Sequence, residues 1–139
     1  MNNNFHTLKG YDMIEKKQIT PAMEDYLEMV FRLCQKKEYT RISEISQYLN
    51  VKPSSATKMI SNLKLYDLVT FEKYGLICLT EKGINMGKYL IYRHNTLNAL
   101  LCLINNSESE LETVEKIEHF INEKTIRNMN KFIDYIKGL

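Results

Sequence analysis

The sequence predicts a mainly helical protein carrying one small β-hairpin. Three observations lead there. Apolar residues recur at threes and fours through most of the chain, the spacing of helices with one buried face. Two short helical stretches separated by a three-residue turn are followed by two short β-prone runs around Lys73-Tyr74-Gly75. A long helical run then leads into two shorter ones.

The first clear element starts at Thr20-Pro21, with Thr20 as N-cap and Pro21 at the first helical position, and runs to about Lys36. Its stripe is Met23, Tyr26, Leu27, Val30, Phe31 and Cys34. Asp25 and Glu28 lie off that stripe, three residues apart on a shared face. As acidic residues early in a helix they can also simply complement its dipole. Before Thr20 the chain is polar and Asn-rich, a mobile arm over 1–19 with a helical turn conceivable around Tyr11 to Lys17.

Ser43 is expected to cap a second helix with Ile42, Ile45 and Leu49 inward, ending at Asn50. After the turn Asn50-Val51-Lys52 a third helix begins at Pro53 and buries Ala56, Met59, Ile60 and Leu63. This is the helix-turn-helix pattern, whose second helix enters the DNA major groove. Its outer face is hydroxyl-rich and basic: Ser54, Ser55, Thr57, Lys58, Ser61 and Asn62. The hairpin after it is the wing of a winged helix, with Lys73 at the tip placed to meet phosphate. In this arrangement Ser54, Ser55, Thr57 and Lys58 face bases, Arg41, Lys52 and Lys73 hold phosphates, and Pro53 opens the helix at the DNA surface. A protein-binding winged helix without a nucleic-acid role has the same pattern.

Thr80 can cap a long helix to about Ile104, with Ile84, Ile91, His94, Leu97, Leu101 and Ile104 on one stripe. Gly83 and Gly87 weaken it but permit close packing. His94 is the polar member of that stripe, either a hydrogen-bonded core residue or a ligand. Ser107-Glu-Ser-Glu110 reads as a capping box for a short acidic helix. On it Glu115, Glu118 and His119 stand at i, i+3 and i+4, on one face, with Lys116 pointing elsewhere. A solvated acidic helix with a chance His gives this pattern, and so does one side of a divalent-cation site. A last helix, Thr125 to Lys137, carries Ile126, Met129, Ile133 and Ile136. So small a chain offers that stripe little to pack on, which points to a partner subunit.

The bulk properties set the bounds. At 139 residues the chain holds one ordinary domain or two small ones sharing a core. An apolar share of 44% against 26% charged residues is that of a folded protein, not a disordered one. The net charge of +2 is uninformative as a total, but its distribution is not. Residues 40–64 carry Arg41, Lys52, Lys58 and Lys64 against Glu44 alone, whereas 105–123 carry six glutamates against Lys116. One end suits a polyanion and the other suits cations. Cys34, Cys78 and Cys102 are scattered within apolar runs, as buried thiols in a reducing compartment are. With no membrane-length apolar run and no signal-peptide pattern, a cytoplasmic location is expected.

Four stretches in order, Pro21-Ala-Met-Glu-Asp-Tyr-Leu-Glu28, Val51-Lys-Pro-Ser-Ser-Ala-Thr-Lys-Met59, Tyr89-Leu-Ile-Tyr-Arg-His94 and Val114-Glu-Lys-Ile-Glu-His119, carry a resemblance. Over about residues 20 to 138 the chain resembles the DtxR/MntR family of metal-dependent transcriptional repressors, and within it the manganese-sensing branch. The resemblance implies a winged helix-turn-helix DNA-binding domain over 20–80 and a helical metal-binding and dimerisation domain over 81–139. It places ligands at Asp25, Glu28, His94, Glu115, Glu118 and His119, with Glu28 and Glu115 bridging two ions. It also implies a homodimer on a palindromic operator, controlling metal-uptake genes, with no membrane and no small-molecule substrate. Carboxylates and imidazoles without sulfur make a hard site suited to Mn²⁺, although Fe²⁺, Co²⁺ or Cd²⁺ could bind it. An iron- or zinc-responsive regulator of the same fold, or a dinuclear metal hydrolase, are the alternatives. The arm before Thr20 is longer than the family's usual start. The absence of an added C-terminal domain favours the shorter manganese-sensing architecture.

Overall fold

The computed structural model describes residues 7–8, 19–72 and 74–139. The helical turn expected around Tyr11 to Lys17, and Lys73, lie outside the described residues. Helix α1, Pro21–Lys37, begins as the sequence indicates: the Thr20 hydroxyl accepts from the Met23 amide at 3.2 Å and Pro21 occupies the first turn. It stops where Glu38 turns left-handed at φ 66° and returns its amide to the Cys34 carbonyl. Its buried face adds Leu33 to the expected stripe, because α1 is covered on two sides.

Helices α2, Ile42–Leu49, and α3, Pro53–Leu65, flank the expected turn, and Asn50 ends α2 at φ 53°, a conformation Asn tolerates better than most residues. Ser43 does not cap α2. The helix starts before it, with Arg41 in the cap position making no side-chain cap bond. Strands β1, Val69–Phe71, and β2, Ile77–Leu79, pair antiparallel with Thr70 opposite Cys78. Thr40 bridges to Ile77, tying the start of α2 to the wing through two 2.9 Å backbone bonds.

Helix α4, Glu81–Asn105, is capped by the Thr80 hydroxyl on the Gly83 amide. Its two glycines are sites of close approach. A Cβ on Gly83 would collide with the Leu68 carbonyl, and one on Gly87 would lie 2.5 Å from the Phe31 ring. The expected stripe holds only in the middle of α4: His94 and Leu97 are buried, whereas Ile84 and Ile104 are exposed near the ends. Leu90, Arg93 and Thr96 are buried instead, since a helix with neighbours on both sides buries more than one stripe.

The acidic helix α5, Leu111–Ile117, starts at Glu110 without a side-chain cap, and the Ser107 box does not form. The Ser107 hydroxyl donates to the Glu110 carboxylate at 2.7 Å, and the Glu110 amide is taken by Asn98 Oδ1 of α4 at 2.8 Å. A 3₁₀ turn, Glu118–Phe120, follows, so His119 sits past the α-helix rather than on it. Helix α6, Glu123–Lys137, starts at Asn122, whose side chain accepts from the Thr125 amide. Its stripe finds partners within the chain: α6 packs along α4, Ile126 is fully buried and Ile133 nearly so.

Two apolar clusters result. The larger joins α1, α2, α3, the hairpin and Leu90 of α4, around Leu27, Val30, Ile45, Ile60, Leu63, Leu68 and Ile77. The smaller is Leu97, Val114 and Ile126, flanked by Tyr92, Leu101, Ile121 and Met129. Between them the interior is polar, with Arg93, His94, Glu118 and His119 buried.

Candidate metal centre

Three elements converge on that polar layer. Helix α1 contributes Glu24, Asp25 and Glu28, α4 contributes Arg93 and His94, and the end of α5 with its 3₁₀ turn contributes Glu115, Glu118 and His119. Tightening from α to 3₁₀ at Glu118 brings both Glu118 and His119 inside, while Glu115 stays half-exposed.

The six expected residues form two adjoining groups. In the first, ligand atoms of Glu28, His94 and Glu118 all lie within 4.8 Å of one another. His94 Nδ1 is 3.4 Å from Glu118 Oε2 and 3.7 Å from Glu115 Oε1, so Glu115 borders this group. In the second, His119 Nε2 is 3.0 Å from Asp25 Oδ1. The sequence reading missed two members of this second group, Glu24 and Arg93. His119 Nδ1 lies 2.7 Å from Glu24 Oε1 and 3.3 Å from Arg93 Nη2, and Arg93 holds Glu24 through two contacts of 3.2 and 3.3 Å. A signal was present: Arg93 neighbours His94 on a mostly apolar helix, and Glu24 stands one turn before Glu28.

The electrostatics are those of carboxylates short of positive charge. Burial, then the nearby charges of Asp25 and Glu28, push the Glu115 carboxyl above its ordinary range. Burial, then Glu115 and Glu28, do the same to Glu118. The second Glu118 oxygen, Oε1, is buried with no hydrogen-bond partner. A buried acceptor without a partner is costly. In contrast His119, hydrogen-bonded to Asp25 and then Glu24, is raised to about 9 and is an imidazolium at neutral pH. For Glu24, burial works upward but is outweighed by His119 and Arg93, which hold it below its usual value. A divalent cation fits this donor set: it would satisfy the orphaned Glu118 oxygen and relieve the mutual repulsion of the carboxylates. The donors are oxygen and imidazole nitrogen, without sulfur.

In the first domain, Lys52, Pro53, Ser54, Ser55, Thr57 and Lys58 are all exposed, at the start of α3 and along its first turns. Arg41 is also exposed, but its guanidinium donates to the Tyr74 carbonyl at the wing. Lys64 similarly reaches the Phe71 carbonyl at 3.4 Å. The wing is thus held by two cations of the basic stretch, one of which, Arg41, the sequence reading assigned to phosphate.

Comparison with known proteins agrees with this layout. Residues 18–76 match the iron dependent repressor N-terminal DNA binding domain, and residues 80–138 match the metal binding and dimerisation domain of the same repressors. Over 119 residues the chain is 40% identical to the HTH-type transcriptional regulator MntR of Geobacillus thermodenitrificans, spanning 85% of this chain and 84% of that one. It is 39% identical to MntR of Bacillus subtilis over the same shares of the two chains. The solved structure of the manganese regulator SloR matches 84% of this chain with a TM-score of 0.72 at 27% identity, and this chain spans 55% of the length of that one. These relatives are regulators, not enzymes, which removes the hydrolase alternative. The chain belongs to the iron dependent repressor, or DtxR/MntR, family of metal-dependent DNA-binding transcriptional regulators.

Proposed function

We propose that the protein is a manganese-responsive repressor that controls metal-uptake genes from the cytoplasm as a homodimer on a palindromic operator. The observation that carries this reading is the Glu28, His94 and Glu118 group, because Glu28 belongs to the helix that supports the DNA-binding half and the other two to the dimerisation half. Asp25, Glu115 and His119 complete the ligand set, which would hold two ions per subunit. A bound divalent cation supplies the positive charge that turns repulsion among these carboxylates into attraction across the two halves.

The chain's own residues do the rest. Glu28 and Asp25 anchor α1, and His94, Glu115, Glu118 and His119 anchor α4 and the turn after α5. With the two anchors tied, the DNA-binding halves over 20–80 of the two subunits keep one separation. A dimer reading two half-sites needs that separation matched to the DNA helical repeat. On each α3, Ser54, Ser55, Thr57 and Lys58 face base edges, with Pro53 starting the helix and Lys52 against phosphate. Arg41 sets the wing, and phosphate contact is assigned to Lys73 from the sequence alone. The homodimer, formed through 81–139, is supported by exposed Leu103, Ile104, Leu111, Phe132 and Tyr135 in that half. The sulfur-free donor set supports manganese, and so do the names of the relatives. Fe²⁺, Co²⁺ and Cd²⁺ compete for the same donors.

The test is fluorescence anisotropy on a duplex selected from a random pool, titrated with Mn²⁺ and, under anoxia, Fe²⁺ at one salt concentration. Mn²⁺ is expected to tighten binding by about tenfold or more, within the ordinary range of coupling between two sites. Glu28→Ala should abolish the gain. Tight binding indifferent to Mn²⁺ overturns the reading. A gain with Fe²⁺ but none with Mn²⁺ reassigns the metal.

A further inference from the structure

Arg93 and Glu24 are the two members of the polar layer that the ligand set does not use. Arg93 is 3% exposed, and its guanidinium ends on Glu24 through two parallel contacts, the planar fork geometry that a lysine could not reproduce. Glu24 in turn takes His119 Nδ1 at 2.7 Å, a contact spanning 95 residues of sequence. With Nδ1 committed to a carboxylate, the other ring nitrogen, Nε2, faces Asp25 of α1. Imidazole ligands of metal sites are commonly fixed in this way, by a carboxylate on the nitrogen that does not bind the metal. The cost of disturbing the arrangement is built in. Arg93 Nε already lacks a hydrogen-bond partner, so removing Glu24 would strand a buried cation.

We propose that Glu24 and Arg93 are a positioning pair that presents His119 to the metal through Nε2 and docks α1 against α4 before metal arrives. The proposal rests on the reading of His119 as a ligand. The pair lies in the two halves of the chain, so it also keeps the two sets of ligands within reach of one another. In this protein the metal therefore completes a docked site and does not have to assemble one.

The experiment compares wild type, Glu24→Gln, Arg93→Lys and His119→Ala in the full-length dimer. Mn²⁺ affinity is read by electron paramagnetic resonance of the free ion. Coordination is read from the visible absorption of bound Co²⁺. Folding is checked by circular dichroism. Glu24→Gln keeps an acceptor for His119 but loses the charge that Arg93 needs. It is expected to weaken Mn²⁺ binding about 10- to 100-fold, the usual cost of losing such a supporting group, and to alter the Co²⁺ spectrum. Arg93→Lys keeps the charge without the fork, and should move both readouts in the same direction by less. It carries the test if Glu24→Gln does not fold. Unchanged affinity and an unchanged Co²⁺ spectrum in the folded variants overturn the positioning role, even if their melting temperatures fall. If His119→Ala itself leaves Mn²⁺ affinity unchanged, the ligand assignment fails and takes this proposal with it.

Discussion

Around α1 the interior is apolar. Leu27, Val30, Ile45, Ile60, Leu63 and Ile77 are fully buried in one cluster, whereas among the described residues from the middle of α4 onward the buried apolar cluster is just Leu97, Val114 and Ile126. Alongside Ile133 and Thr96, the C-terminal half buries four charged or titratable groups: Arg93, His94, Glu118 and His119. The first half is stabilised by the area it removes from water, which needs no ligand. The second spends part of its interior on groups that repel, lack partners or carry protons. Such an interior is costly in a metal-free monomer and useful only when a cation or a partner subunit completes it. The proposed division of labour follows: the apolar half presents the recognition helix, and the polar layer, once a cation completes it, would set how that half is held.

The difference can be broken from either side. The largest effect is expected from Leu27→Ala, which should cost about 2–5 kcal/mol of stability by chemical denaturation while leaving the stabilisation by Mn²⁺ in place. Glu118→Gln should do the reverse. The metal-free protein should melt no lower than wild type, because the change removes a buried, partnerless carboxylate oxygen and its charge. Its thermal shift with saturating Mn²⁺ should vanish, where wild type gains about 2.7 kcal/mol at a hundredfold excess over Kd. A Glu118→Gln protein that keeps the full shift contradicts the assignment of that ligand.

The pH dependence sharpens the same contrast. His119 is raised from 6.5 to about 9 in the folded, metal-free protein. Its ion pairs therefore contribute stability that is fully present below pH 6.5 and lost as pH rises through 9. The raised carboxyls of Glu115 and Glu118 act in the same direction at lower pH, since their ionisation is disfavoured in the fold. Thermal melts of metal-free protein should fall between pH 6.5 and 9, while Mn²⁺ affinity rises over the same window as the His119 proton becomes easier to displace. The smallest effect on stability belongs to Thr57→Ala on the exposed face of α3, within about 0.5 kcal/mol, but it should change which duplexes are selected from a random pool. Unchanged selection removes Thr57 from base reading.

The sequence shows the first half more fully than the second for the same physical reason. Thr20-Pro21, the spacing of Ala56, Ile60 and Leu63, and the turn at Asn50 are local signals, and each appears where expected. Ser43 and Ser107 are local signals that failed. The Glu110 amide that Ser107 was expected to cap is bonded to Asn98 of another helix, a competition no short window contains. The candidate ligands were legible as residue types at helical spacing, but the contacts among them were not. Glu24 looks like an ordinary first-turn acid, and Arg93 like a surface cation, until α1 and α4 come together. Likewise the α6 stripe was read as needing a partner because the sequence does not say that α4 already covers it.

The central claim is that metal bound in the buried polar layer tightens the link between two halves that are already docked. Hydrogen exchange read by mass spectrometry, with and without saturating Mn²⁺, addresses it most directly. The account predicts that protection rises together in α1, in the middle of α4 and in the turn 118–120, and that Glu28→Ala abolishes the rise in α1. Protection confined to the C-terminal half, with α1 exchanging as before, contradicts it.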